Sequence, residues 1–224
     1  EDAEVVDCMV GAGEIVGIET SIKGKEAIRM TCEQAQALVK ARLSHKRYKH
    51  TLNVKNKAVA LAERYGADPE KAALAALLHD AAKELPRDAM LQIFRDNAIM
   101  AKNAASRPSP VWHGIAAAIL CATDWGVTDP AILSAIECHT TGKANMSLLD
   151  KILYMADATS AERDYPGVET LRREEMQDLD LALLHSLEQS IAFVREKGGA
   201  LDPETLAACN WLRAQRGLAT EEKT

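Results

Sequence analysis

Aromatic side chains are scarce in this sequence: they make up 4% of 224 residues, against 47% hydrophobic overall. A core of that composition is built mostly from Ala, Leu, Ile and Val, which favours closely packed helices. An excess of positive charge is missing too, the formal net charge being −6. That argues against a general binder of nucleic acid or of acidic membranes, and any anionic substrate needs a local positive site. The five cysteines (Cys8, Cys32, Cys121, Cys138, Cys209) contain no C-x-x-C pair. An odd, scattered set reads as reduced thiols of a cytoplasmic protein, not as a disulfide framework or a cysteine zinc site. No apolar run approaches the ~20 residues of a membrane span, and no signal-peptide pattern opens the chain. A start at Glu1 instead of Met reads as trimming or as a fragment of a longer protein.

Alternating runs long enough for a strand are also absent from residue 31 to residue 224, and the punctuation there is helical. Thr31-x-x-Gln34 and Ser147-x-x-Asp150 look like helix starts, the first as a capping box. Asp68-Pro69, Asp129-Pro130 and Asp202-Pro203 each set an N-cap acid before a proline at the first helical position. Gly66, Gly126, Gly142 and Gly198-Gly199 fall where helix C-termini are expected. The pattern predicts an all-α chain with helices near 31–43, 46–65, 69–83, 87–97, 110–125, 130–139, 147–159, 170–197 and 203–216, and a long loop over 97–110. Residues 1–30 are set apart by Gly11, Gly13, Gly17 and Gly24 and read as an N-terminal extension or domain remnant. A dinucleotide-binding fingerprint is disfavoured there, because no helix or later acidic partner follows. The length suits one full-sized domain over 31–224.

Six polar residues interrupt these oily helices in the order H-x28-H-D-x32-H-x25-H-x17-D: His50, His79, Asp80, His113, His139 and Asp157. His50 shares a stripe with Val54, Ala58, Leu61 and Tyr65, and His79 with Ala72, Ala75 and Ala76. His113 continues into Ala116, Ala117 and Leu120, His139 follows Ile132, Ala135 and Ile136, and Asp157 follows Leu153 and Tyr154. Each polar residue therefore extends an apolar face and should point inward. One such histidine is ordinarily a hydrogen-bonded core residue. Five such helices in one chain would each need a buried partner, and a shared metal centre supplies it more simply. Imidazole and carboxylate together suit Fe, Mn, Co or Zn rather than Ca or Mg alone. Six ligands exceed what one catalytic ion needs, so two metal ions bridged by Asp80 fit better. His45 lies off the His50 stripe in a basic run, His185 has no polar company, and Cys138 points away from His139; all three read as structural or solvated.

The stretches "KHTLNVKNKAVALAERYGAD" (49–68), "KAALAALLHDAAKE" (71–84), "HTTGKANMSLLDKILYMAD" (139–157) and "ERDYPGVETLR" (162–172) carry a family likeness. Over about 45–198 the chain resembles the HD-domain phosphohydrolase superfamily, most closely its YqeK-type symmetrical diadenosine tetraphosphate hydrolases. The resemblance implies an all-helical bundle with an interior site for two metal ions, iron favoured, on His50, His79, Asp80, His113, His139 and Asp157. It implies hydrolysis of a dinucleoside tetraphosphate to two ADP by a metal-activated hydroxide, and it suggests a homodimer. Lys83, one turn beyond His79, is expected to bind phosphate or assist the leaving group beside Asp80; the alternative is a surface lysine favoured by the helix dipole. Thr140, Thr141 and Gly142 offer hydroxyls and amides to phosphate oxygens. Arg163 could clamp a phosphate, or instead pair with Glu162 or Asp164. The competing functions are another HD-type phosphohydrolase (phosphomonoesterase or cyclic-nucleotide phosphodiesterase) and a non-catalytic nucleotide-binding module.

Overall fold

The computed structural model describes residues 30–101 and 103–220. The glycine-rich segment and Cys8 lie outside the described residues. Within them every regular element is helical: α1 (Cys32–Arg42), α2 (His45–Tyr65), α3 (Pro69–Leu78), α4 (Arg87–Asp96), α5 (Ala98–Ala101), α6 (Trp112–Thr123), α7 (Pro130–Cys138), α8 (Leu148–Ala158), α9 (Val168–Glu174), α10 (Leu179–Glu196) and α11 (Pro203–Gln215). Two short 3-10 turns, Ala104–Ser106 and Ser109–Val111, precede α6. No described helix is long and apolar enough to cross a membrane.

The expected caps form. Thr31 and Gln34 make a reciprocal box, Thr31 N–H donating to Gln34 Oε1 at 2.9 Å and Gln34 N–H to Thr31 Oγ1 at 3.2 Å. Ser147 and Asp150 do the same at α8. Asp68, Asp129 and Asp202 each accept first-turn amides ahead of their prolines, an arrangement worth about 1 kcal/mol per helix.

Three expectations are corrected. The helix expected over 69–83 ends at Leu78, so His79 and Asp80 stand just past its last residue and not within it. Beyond it the chain runs in tight turns, with Ala81 N–H on Leu78 O and Lys83 N–H on Asp80 O. The helix expected over 170–197 is two helices. Asp178 (φ −146°, ψ 99°) caps α10 by accepting Leu181 N–H. Just before it, Glu175 is drawn wholly into the interior by Lys57 and Thr159, both at 2.7 Å. The long loop of 97–110 contains α5 and the first 3-10 turn.

α2 lies along α3 and α8, while α7 packs on α6 and α8. Their contact surfaces are rich in fully buried alanine: Ala58 and Ala62 on α2, Ala75 and Ala76 on α3, Ala116 and Ala117 on α6, Ala135 on α7. Side chains this small let backbones approach closely, so polar groups at the helix ends are brought within a few ångströms of one another. Leu61, Leu77, Leu78, Ile136, Ile152, Leu153 and Met155 fill the remaining core. The few aromatics serve locally; Phe94 and Trp112 meet edge-to-face at 5.8 Å.

Candidate metal centre

All six residues meet at one interior point. His50 comes from the second turn of α2, His79 and Asp80 from the end of α3, His113 from the start of α6, His139 from the end of α7 and Asp157 from the end of α8. Successive ring centroids are 5.5 Å (His50–His79), 4.9 Å (His79–His139) and 5.0 Å (His139–His113) apart. Asp80, 2% exposed, stands among them. Its Oδ2 lies 3.6 Å from His50 Nε2 and 3.4 Å from His79 Nε2. Its Oδ1 lies 3.3 Å from His113 Nε2 and 3.8 Å from His139 Nε2. Asp157 Oδ1 completes the first half, 3.1 Å from His50 Nε2.

A common device orients three of the rings. His79 Nδ1 meets Ala76 O at 2.7 Å, His139 Nδ1 meets Ile136 O at 2.7 Å and His113 Nδ1 meets Pro110 O at 3.0 Å. A carbonyl can only accept, so each Nδ1 carries the proton, and in the neutral ring the lone pair is then on the inward Nε2. Because α3 and α7 stop at Leu78 and Cys138, the carbonyls of Ala76 and Ile136 are left for the imidazoles. Two consequences are costly. His50 Nε2 and His79 Nε2 are buried without a hydrogen-bond partner, each at roughly 1–3 kcal/mol. His113 Nε2 and His139 Nε2, both acceptors in this tautomer, face each other at 3.1 Å. A cation among these lone pairs removes both costs. The groups His50, His79, Asp157 and His79, Asp80, His139 each bring three ligand atoms within 4.8 Å of one another. The residues present fit divalent metal.

The chain matches the HD domain family over residues 47–162, a span that holds all six residues. It is 40% identical over 183 residues (82% of this chain, 98% of the relative) to a symmetrical bis(5'-nucleosyl)-tetraphosphatase of Bacillus subtilis. To a protein of the same name from Halalkalibacterium halodurans it is 38% identical over 179 residues (80% and 95%). The chain belongs to the HD-domain family, in the branch of these symmetrical tetraphosphatases. A solved HD superfamily hydrolase from Clostridium acetobutylicum, described as involved in NAD metabolism, is similar with a TM-score of 0.79 at 40% identity. The likeness covers 84% of this chain and 99% of that one.

Electrostatics in this HD-domain site keep two of the imidazoles and both carboxylates receptive, and act against that at His79. Burial, with His139 and Lys83 nearby, holds His113 well below the usual imidazole range. Burial and His79 bring His139 down to about 4. Burial alone would lower His79 as well, but the Asp80 charge 3.4 Å from its Nε2 outweighs burial and raises it. Asp80 and Asp157 resist burial and stay ionised: the surrounding imidazoles, and for Asp157 also Arg163, hold both well below the usual carboxylate value.

The other expected site residues divide. Lys83 Nζ reaches His113 Nε2 at 3.2 Å, and Thr140 Oγ1 stands 3.2 and 3.1 Å from His113 and His139 Nε2. Arg163 pairs with Asp157, and not with Glu162 or Asp164. Thr141 faces away from the cluster, donating to Gly142 O at 2.8 Å on the side of Arg107. Gly142 (φ +65°) makes the turn, and a Cβ there would come 3.0 Å from Ala208 Cβ. His45 is exposed, while His185 pairs with Glu174 away from the site.

Three neighbours escaped the sequence reading. Arg47 donates to Asp80 Oδ2 at 2.9 Å; its signal was a position three before His50, one helical turn away. Gly114 lets α6 touch the end of α7, since a Cβ there would lie 3.0 Å from Glu137 O and 3.2 Å from His139 Cε1. Glu162 bonds His50 Nδ1 from a loop 112 residues away in sequence, for which no periodic signal exists.

Proposed function

We propose that this chain hydrolyses dinucleoside tetraphosphates symmetrically, taking diadenosine tetraphosphate and water to two ADP, at a centre of two divalent metals. The observation that carries the reading is the set of inward Nε2 lone pairs around one buried carboxylate, whose two oxygens face two different histidine pairs. The kinship with proteins named symmetrical tetraphosphatases supports the substrate class. Iron is the proposed native metal, with Mn, Co or Zn acceptable to the same imidazole and carboxylate ligands. Bound metals of this kind supply an activated water and neutralise charge on phosphoryl oxygens.

The protein's own contribution is binding and charge. The polyphosphate carries several negative charges into a protein of net charge −6, so it needs a local cationic rim. Arg47, Lys83 and Arg163 make that rim. Arg47 and Arg163 have side chains 30% and 38% exposed, and each is tethered to a carboxylate of the centre. Lys83 is more enclosed; burial lowers its pKa, and the Asp80 and Asp157 charges oppose that. We assign Lys83 to the phosphate that becomes the leaving group, where its charge acts in a partly dry site. Arg163 meets a flanking phosphate, the Thr140 hydroxyl reaches the same space, and Thr141 with Gly142 shapes the loop that presents it. His50, His79, Asp80, His113, His139 and Asp157 would hold the metals, with Asp80, whose two oxygens face different histidine pairs, shared between them.

Cysteines 32, 121, 138 and 209 are free thiols, which supports a cytoplasmic location. A homodimer is also proposed, on the family likeness, and light scattering tests it. The decisive assay is product chromatography with diadenosine tetraphosphate and metal-loaded protein. ADP as the only nucleotide product is expected. ATP with AMP, or free phosphate, would mean a different cleavage, and tight ADP binding with uncut substrate would mean a binding module.

A further inference from the structure

Three of the four inward histidines are aligned by a main-chain carbonyl three residues earlier, in their own helix or in the 3-10 turn before it, but His50 has no such partner. It sits inside a continuing helix, where the carbonyls are taken by the i+4 amides. Its Nδ1 is instead bonded by the Glu162 carboxylate Oε1.

Glu162 is itself held by two further side chains. Its Oε2 accepts Asn53 Nδ2 at 2.5 Å, three residues along α2 from His50, and its Oε1 accepts Ser160 Oγ at 2.8 Å. The loop that carries it, between α8 and α9, is fastened from below by Arg172. Arg172 Nε donates to Thr159 O at 3.0 Å, and its Nη2 donates to Ser160 O at 2.6 Å and Arg163 O at 2.9 Å. The remaining Nη1 is paired with Glu169. With Nε, Nη1 and Nη2 all engaged by groups of this chain, the Arg172 guanidinium is a staple on the loop and is not presented to a phosphate. Tyr165 adds a further tie, its hydroxyl donating to Ala158 O at 2.8 Å.

We propose that Glu162, locked by Asn53 and Ser160 on a loop stapled by Arg172, is a positioning residue for the metal centre. It fixes the Nδ1–H tautomer of His50 and aims Nε2 at the space between Asp80 and Asp157. A carboxylate behind a ligating imidazole also strengthens it as a donor, and losing such a partner typically lowers metal affinity about 10–100-fold. The inference rests on the metal-centre reading above and extends it to residues outside the ligand set. It also explains why a short stretch after the last ligand, Glu162 to Arg172, is tied so closely to the site: one end touches His50 and the other holds the loop in register.

The test uses the full chain titrated with cobalt(II) alone, reading affinity and the visible d–d absorption of the bound ion, with circular dichroism and melting temperature as fold controls. The wild-type protein is expected to bind cobalt. Glu162→Ala should bind roughly 10–100-fold more weakly with an altered absorption envelope. Glu162→Gln, which keeps an acceptor for His50 Nδ1–H, should lie between the two. Arg172→Lys keeps the charge but loses the three-carbonyl fork, and should shift the spectrum in the Glu162→Ala direction. Should Glu162→Ala fail to fold, Asn53→Ala and Glu162→Gln decide the matter in the same titration. Unchanged cobalt affinity and spectrum in folded Glu162 variants overturns the inference while leaving the metal centre standing. So does a drop in melting temperature alone. A wild-type protein that takes up no cobalt overturns the metal centre and this inference together.

Discussion

Asp80 is buried at 2% exposure among four imidazoles and Arg47, and no neighbouring carboxylate could take over both of its oxygens. Asp80→Ala is therefore expected to lose at least one metal ion per chain and essentially all turnover, a larger effect than the ~10–100-fold of an outer-shell loss. Elemental analysis alongside an activity assay reads it, and a variant with full metal content and normal rate would refute the bridging role. Lys83→Ala should instead leave metal content intact and slow turnover by roughly 10²-fold, the scale of removing one preorganised charge; loss of metal would move Lys83 to a structural role. At this scale the convergence of the inward polar groups was legible in the sequence, because His50, His79, His113, His139 and Asp157 each extend an apolar stripe of a different predicted helix. Glu162, Arg47 and the opposed directions of Thr140 and Thr141 were not legible, since they depend on loop conformation and on contacts between distant segments.

Among the elements, α3 and α7 end just before a ligating histidine, and the freed carbonyls of Ala76 and Ile136 become its orienting partners. An Ala-Leu run with no glycine or proline before Pro86 reads as a helix continuing to residue 83, so the stop at Leu78 escaped the sequence reading. At the stop, the His79 imidazole takes the place on Ala76 O that the Asp80 amide would hold in a longer helix. The capping acids and prolines, by contrast, act within four residues of themselves and were read correctly. The contact of α6 with α7 gives a sharp prediction. Gly114→Ala puts a methyl 3.0 Å from Glu137 O and 3.1 Å from Ile136 O, both main-chain atoms. The helices must separate, at about 1–3 kcal/mol, and His113 should move away from His139. Calorimetry is expected to show a lower melting temperature, and metal analysis a partial loss; an unchanged Tm with full metal would show that the interface yields without cost.

For the molecule as a whole, metal and fold support each other. Bound metal relieves the buried lone pairs only in the folded state, so chelation should lower the melting temperature. The metal-free protein should also be acid-sensitive. His139 stays neutral in the fold down to about 4, whereas an unfolded imidazole takes its proton near 6.5. The unfolded state thus binds protons first, and this contribution to stability is present above pH ~6.5 and lost as the pH falls towards 4. His113, also lowered, acts in the same sense, and raised His79 in the opposite one. Thermal melts of chelated protein across this window are expected to show Tm falling with pH; a flat or rising profile would mean that His79 dominates. The all-helical architecture was legible from composition and punctuation alone, while the division of 170–197 was not, because Glu175 is pulled inward by Lys57 and Thr159, which lie far from it in sequence. The number of ions that the six side chains hold decides between a two-metal centre and any other. Elemental analysis of anaerobically purified protein should find two first-row transition metal ions per chain; an active protein with one ion or none would contradict it.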